Sequence, residues 1–188
     1  MHFPVLLNLS EKLDKISCPT SIFYLEYTLA PNAKYPTQLR EAVAAYNYLV
    51  DEMNIEPSSI IVGGDSAGGN LALQLLRHIA EPHPDIALCS SRAPSKCILV
   101  SPWVSLDHTS PSYTRNGGYD VLRRSALQRW AHNWKGSHSD IFTDPVKAPY
   151  ESWKNILPST FVVSGEQEVL IDDIMDLCEN FKKVKIYF

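Results

Sequence analysis

The stretch Ile60-Ile61-Val62-Gly63-Gly64-Asp65-Ser66-Ala67-Gly68-Gly69-Asn70 sets an apolar, β-rich run against a helix-forming one, with only a glycine-rich turn between them. Its spacing excludes three nucleotide motifs. No three glycines stand at G-x-G-x-x-G, Asn70 occupies the position where a phosphate loop needs lysine, and the kinase glycine loop fails likewise. What fits is Gly64-x-Ser66-x-Gly68, the nucleophile elbow, in which a serine on a sharp strand-to-helix turn holds its hydroxyl above a sheet. At so tight a bend, side chains two before and two after the serine are expected to collide, which calls for glycine at both. The helix N-terminus points backbone donors at the same place, so the Ala67 N–H is the expected oxyanion donor.

Outward from the elbow, strands and helices alternate. Ser21–Tyr27 reads as a strand, closed by Ala30-Pro31 and Tyr35-Pro36. From Thr37, the expected cap, Leu39, Val43, Tyr46 and Val50 stripe a helix to about Met53. Ser58–Gly63 is a strand, Ala67–Ala80 a helix and Lys96–Val100 a strand. After a long excursion, Thr160–Ser164 is a strand, Leu170, Ile174, Leu177 and Phe181 stripe a helix, and Val184–Phe188 begins another strand. A further helix begins near Val5. This alternation predicts one α/β domain over residues 1–188. Its mainly parallel sheet carries helices on both faces, is incomplete at both ends, and is interrupted by a helical excursion at about 103–150.

The 188 residues are 45% hydrophobic and 20% charged, an ordinary globular balance that excludes disordered and collagen-like chains. Seventeen Lys and Arg against twenty-one Asp and Glu give a net charge of −4 with no basic stripe, so nucleic acid is not an expected partner. No metal site is expected, because no His, Cys and acid cluster has ligand spacing. No run of eighteen apolar residues occurs, and no membrane span is expected. Cys18, Cys89, Cys97 and Cys178 form no C-x-x-C pair and are read as buried thiols. Nothing fixes a compartment: the sequence as it stands reads as cytoplasmic. A longer N-terminus would open the endoplasmic reticulum, where the sequon Asn8-Leu9-Ser10 would matter.

The segment Gly64 to Asn70, preceded by Tyr27-Thr28-Leu29-Ala30-Pro31 and followed by Ser101-Pro102-Trp103, resembles the hormone-sensitive-lipase-like branch of the α/β-hydrolases, fungal esterases and steryl-acetate deacetylases among them. The likeness runs from about Leu6 to Phe188, with Thr28 standing where the family commonly has Arg. It implies a small-molecule or lipid-like ester substrate, acetyl esters included, an acyl-enzyme on Ser66, and no cofactor. An acid partner is expected at the carboxyl end of a later strand, in Gly165-Glu166-Gln167-Glu168-Val169-Leu170-Ile171-Asp172. The resemblance selects Glu168, where Asp is usual. Glu166 and Asp172 remain alternatives, and Asp172 and Asp173 also suit the first turn of a helix. Asp65 and Trp103 are candidate pocket residues, although Trp103 also reads as packing. Trp130 and Trp134, spaced i, i+4, form a lid or a buried stripe, and Arg123 and Arg124 a solvated face.

The triad order Ser, acid, His requires a base after Glu168, yet His2, His78, His83, His108, His132 and His138 all precede it. The family's His-Gly-Gly-Gly loop and the strand before it are also missing from the sequence, and that strand would lie between Ser21–Tyr27 and Ser58–Gly63. The expectation is a truncated chain with two unpaired strand edges, poor stability and negligible esterase activity by itself. The rival from another class is a non-catalytic truncated product or binding remnant of the same fold. A Rossmann-like nucleotide binder is disfavoured by the failed phosphate motifs.

Overall fold

The computed structural model describes residues 3–89 and 92–184. Three strands, β1 (Ile61–Asp65), β2 (Lys96–Val100) and β3 (Ser159–Val163), form a parallel sheet in the order β1-β2-β3. The register pairs Asp65 with Val100 and Val100 with Val163. Ser66, Ser101 and Ser164 therefore leave the sheet side by side at its carboxyl end, the edge at which open α/β sheets place their sites.

Helix α3 (Ala67–Ala80) follows β1 directly after Ser66, and α6 (Ile171–Lys183) follows β3. Both pack on one face of the sheet, where Leu73 and Leu76 of α3 and Ile174, Leu177 and Phe181 of α6 enclose Cys97, Leu99 and Trp153. Helix α2 (Thr37–Asn47), prolonged by a π-turn over Tyr48–Glu52, lies outside α3 and sets Leu39, Val43 and Tyr46 against Leu71 and Leu75. Because α3 is covered by the sheet on one side and α2 on the other, it buries every residue from Gly69 to His78. The buried Arg77 spans outward, its guanidinium 4.3 Å from the Trp153 ring and bonded to Glu81 and Ser152. On the opposite face Ile98, Val100, Phe161 and Val163 are exposed. The remaining helices are α1 (Phe3–Lys15), α4 (Ser112–Arg115) and α5 (Arg124–Lys135), the last two inside the excursion.

Helix Ala67–Ala80 and strand Lys96–Val100 fall where the sequence puts them. Elsewhere the structure corrects the reading. Thr37 is not the cap of α2: Pro36 holds that place, and no side chain caps the helix. The strand expected at Ser58–Gly63 starts at Ile61 because Pro57–Ser59 closes a 3-10 turn first. Ser21–Tyr27 forms no strand, and Phe23 and Tyr24 are exposed. A β-prone run needs a ladder partner, and among the described residues the outer edge of β1 pairs with nothing. Cys18 is exposed rather than buried. Cys97 is buried, and that burial pushes its thiol up to about 12. The strand expected at Val184–Phe188 lies, Val184 apart, outside the described residues. No described helix is long and apolar enough to cross a membrane, and no cluster of His, Cys, Asp and Glu among the described residues is suited to a metal ion.

Candidate active site

Ser66 has φ 51° and ψ −117°, a conformation that side chains rarely adopt and that costs of order 1–3 kcal/mol. Three backbone hydrogen bonds hold it there: its N–H donates to Val100 O at 3.0 Å, and its carbonyl accepts from Trp103 N at 2.9 Å and Asn70 N at 3.2 Å. The bend is enforced by contact. A Cβ on Gly64 would lie 2.3 Å from both the carbonyl carbon and oxygen of Gly68, so only glycine fits. The expected clash is one-sided, however, since a Cβ on Gly68 would meet nothing within 4 Å. Gly69 needs its bareness for another reason, the Pro102 ring, 2.8 Å from where its Cβ would stand. Ser66 remains partly exposed. The exposed Ala67 opens α3, and its N–H has no acceptor within the helix.

Asn70, one turn into α3, is buried and saturated. Its Nδ2 donates to Trp103 O at 2.7 Å and to Thr143 O at 3.0 Å, while its Oδ1 accepts from Gln74 Nε2 at 2.6 Å. One amide thus ties both ends of the excursion to the elbow. Sequence reasoning missed this residue; the available signal was a polar side chain on a helix otherwise apolar at that level.

Of the three candidate acids, Glu168 is the one that keeps a buried carboxylate oxygen without a hydrogen-bond partner among the described residues. Its Oε1 accepts from Ser101 Oγ at 2.7 Å and from Gly165 N at 2.8 Å, while its buried Oε2 has no partner among the described residues. Ser101, itself at φ 44°, was also missed, although it opens the Ser-Pro-Trp run directly after β2. Ser66 and the loop after β3 are separated by two strand spacings, roughly 10 Å, with Ser101 between them. Glu166 is exposed. Asp172 is claimed by Arg115 at 2.6 Å and by Ser112 N at 2.8 Å, and the Arg115 guanidinium holds its carboxyl below the usual range. Asp173 accepts from the Ser110 and Tyr113 hydroxyls, and burial raises its carboxyl.

Three of the described histidines, His78, His83 and His138, are engaged elsewhere. His78 contacts Ala87 O at 2.9 Å through Nε2 and accepts from His83 N through Nδ1, and His83 Nδ1 accepts from Asp85 N. His138 pairs with Asp140 at 2.7 Å, and His132 is exposed on α5. His108 is buried against Trp103 and Tyr113, and burial pushes it down to about 4. His2 lies outside the described residues.

Beside Ala67 opens a cavity of about 210 Å³, walled by Tyr27, Trp103, Trp130 and Trp134. Trp103 is thus both core and wall. Asp65, exposed at the end of β1, does not line the cavity. Trp130 and Trp134 face it while Leu127 and Ala131 form the buried stripe of α5, so the tryptophans are not that stripe. Thr28, which also lines the cavity, bonds the Glu41 carboxylate through N at 2.8 Å and Oγ1 at 2.6 Å, fixing the 27–30 wall. Arg123 and Arg124 are exposed, as a solvated face should be.

A family model described as the α/β hydrolase fold matches residues 15–186. An esterase of Acinetobacter venetianus is 33% identical over 171 residues, covering 89% of this chain and 53% of its own. An acetyl-hydrolase of Streptomyces hygroscopicus is 31% identical over 157 residues, covering 81% and 48%. Among solved structures, a hormone-sensitive lipase from a metagenome library superposes with a TM-score of 0.77 at 25% identity, covering 95% of this chain and 58% of that one. The chain spans about half the length of the curated relatives it matches.

Proposed function

We propose, from the premise that this chain belongs to the α/β hydrolase fold family and its hormone-sensitive-lipase-like branch, that it serves the hydrolysis of carboxylic esters through an acyl-enzyme on Ser66. The observation that carries this reading is the strained Ser66 backbone at the β1–α3 turn, with Gly64 pressed against Gly68. Strain of this kind persists only where the surroundings impose it, and it presents one hydroxyl at a helix N-terminus.

In the proposed reaction Ser66 Oγ attacks the ester carbonyl and its proton passes to an imidazole base. The oxyanion that forms faces the Ala67 N–H. Collapse of the tetrahedral intermediate breaks the carbon–oxygen bond to the alcohol, which leaves with the base's proton, and water then releases the acid from Ser66. Glu168, anchored through Oε1 and with its enclosed Oε2 unpartnered among the described residues, is assigned to orient the base and fix its tautomer, which requires the groups covering Oε2 to make way. No histidine of this sequence follows Glu168. We therefore expect these 188 residues to turn over esters negligibly without an added base. The reading treats them as one domain, residues 1–188, built around this site. The engagement of His78, His83 and His138 elsewhere favours a second reading, a non-catalytic binding form of the same fold.

Imidazole rescue separates the two. With p-nitrophenyl acetate and added imidazole, the chain should hydrolyse ester faster than its Ser66→Ala variant at the same imidazole concentration. Equal rates for the two proteins would remove Ser66 from its role and leave the binding form standing.

A further inference from the structure

The cavity beside Ala67 has walls and dimensions that select a ligand. Four aromatic side chains face it, Tyr27 from the segment before α2, Trp103 from the loop after β2, and Trp130 and Trp134 one turn apart on α5. Several of the polar residues lining it have their donors committed. Trp134 Nε1 donates to Gln38 Oε1 at 3.0 Å, and Gln38 Nε2 donates to Thr28 O and Ala33 O. Both Asn70 and Gln74 spend their amide donors inside the protein. Gln74 Oε1 and Trp103 Nε1 lack partners among the described residues but are fully enclosed. Apart from the Ala67 N–H, the Tyr27 hydroxyl and the Trp130 N–H, what the cavity offers a guest is ring faces and ring edges. Size narrows the choice: an apolar cavity of about 150 Å³ holds benzene, and this one measures about 210 Å³. It takes one six-membered ring with a few further atoms, and a fused four-ring nucleus exceeds its volume.

The geometry points to a single-ring aryl group as the occupant, with Trp130 and Trp134 as the residues that select it. This deepens the ester-hydrolase reading, on which it rests for the identity of the guest as part of an ester. Aromatic walls favour an aryl guest over a saturated ring of equal size through edge-to-face contacts, by roughly 2- to 10-fold in affinity. Trp130, 47% exposed, can be shortened without opening the core.

The test reads binding without turnover, so it succeeds or fails independently of Ser66 chemistry. Benzyl alcohol, cyclohexylmethanol and cholesterol are titrated calorimetrically into the whole chain, its Trp130→Ala variant and its Trp134→Phe variant. The expected result is measurable benzyl alcohol binding, roughly 2- to 10-fold tighter than cyclohexylmethanol, weakened at least 2-fold by Trp130→Ala, with no cholesterol binding. Equal affinity for the two single-ring alcohols overturns the aryl preference. Unchanged binding in Trp130→Ala overturns the role of α5, and Trp134→Phe, which keeps an aromatic face, should weaken binding less than Trp130→Ala. Cholesterol binding overturns the size limit.

Discussion

Exchanging single glycines for alanine on either side of Ser66 should give opposite results, although both belong to the same short motif. At Gly64 the added methyl would stand 2.3 Å from two backbone atoms of Gly68 and 2.7 Å from Gly69 N, against the 3.4–4 Å of ordinary contact. Neither partner is a flexible side-chain end, so β1 and the first turn of α3 must separate by about an ångström, through a turn fixed by three backbone hydrogen bonds. Overpacking a rigid site costs typically 1–3 kcal/mol, and loss of those bonds adds to it. Gly64→Ala should therefore destabilise the chain by about 3 kcal/mol or more, lowering Tm by roughly 6–12 °C in a chain of this size. At Gly68 the methyl meets open space in the first turn of α3, and alanine is the better helix former, so the fold should gain about 0.5–1 kcal/mol. Urea unfolding followed by tryptophan fluorescence measures both. Equal effects of the same sign, or a Gly64→Ala protein as stable as the parent, would refute the argument that backbone contact enforces the bend.

Ser66→Gly should stabilise the fold by about 1 kcal/mol, because relief of the left-handed strain at φ 51° exceeds glycine's added chain entropy; a lowered Tm would contradict this. Asn70→Ala strips two buried carbonyls and one buried amide of their partners and should cost about 3 kcal/mol or more, read as a shift in urea midpoint. His108 titrates at about 4 in the fold, chiefly through burial and then through Arg124, against 6.5 for the unperturbed group. Between those values the unfolded chain binds the extra proton. Stability present above pH 6.5 should fall as the pH drops toward 4, by at most about 3 kcal/mol. His108→Asn, which suits the positive φ there, should flatten that dependence; an unchanged slope would place the titration elsewhere.

The local elements were the legible part of this fold. Ala67–Ala80 and Lys96–Val100 carry their own period and their own stops, and the elbow announces itself because its glycines are steric requirements. Ser21–Tyr27 has every residue a strand needs, yet a strand is a pairing, and its composition does not say whether a neighbour stands beside it. The same holds at the site. Ser66 and Ala67 could be put forward as candidates because a motif points at them, whereas the strand end narrowed the acid only to the Gly165–Asp172 stretch and the family resemblance selected Glu168. Ser101 and Asn70 act through hydrogen bonds to Glu168 and to the distant carbonyls of Trp103 and Thr143, contacts made only once β2, β3 and α3 lie together. The one-sidedness of the glycine pair was illegible for the same reason: which methyl collides depends on the direction each Cα faces in the finished turn.

The double grip of Asn70 on Trp103 O and Thr143 O closes the excursion at its neck. Between those two carbonyls the segment is pinned again, by Ser112 and Tyr113 on the start of α6 and by Asn116 on Glu168 O, so a change of length there is transmitted to the loop after β3 before it reaches the bend at Ser66.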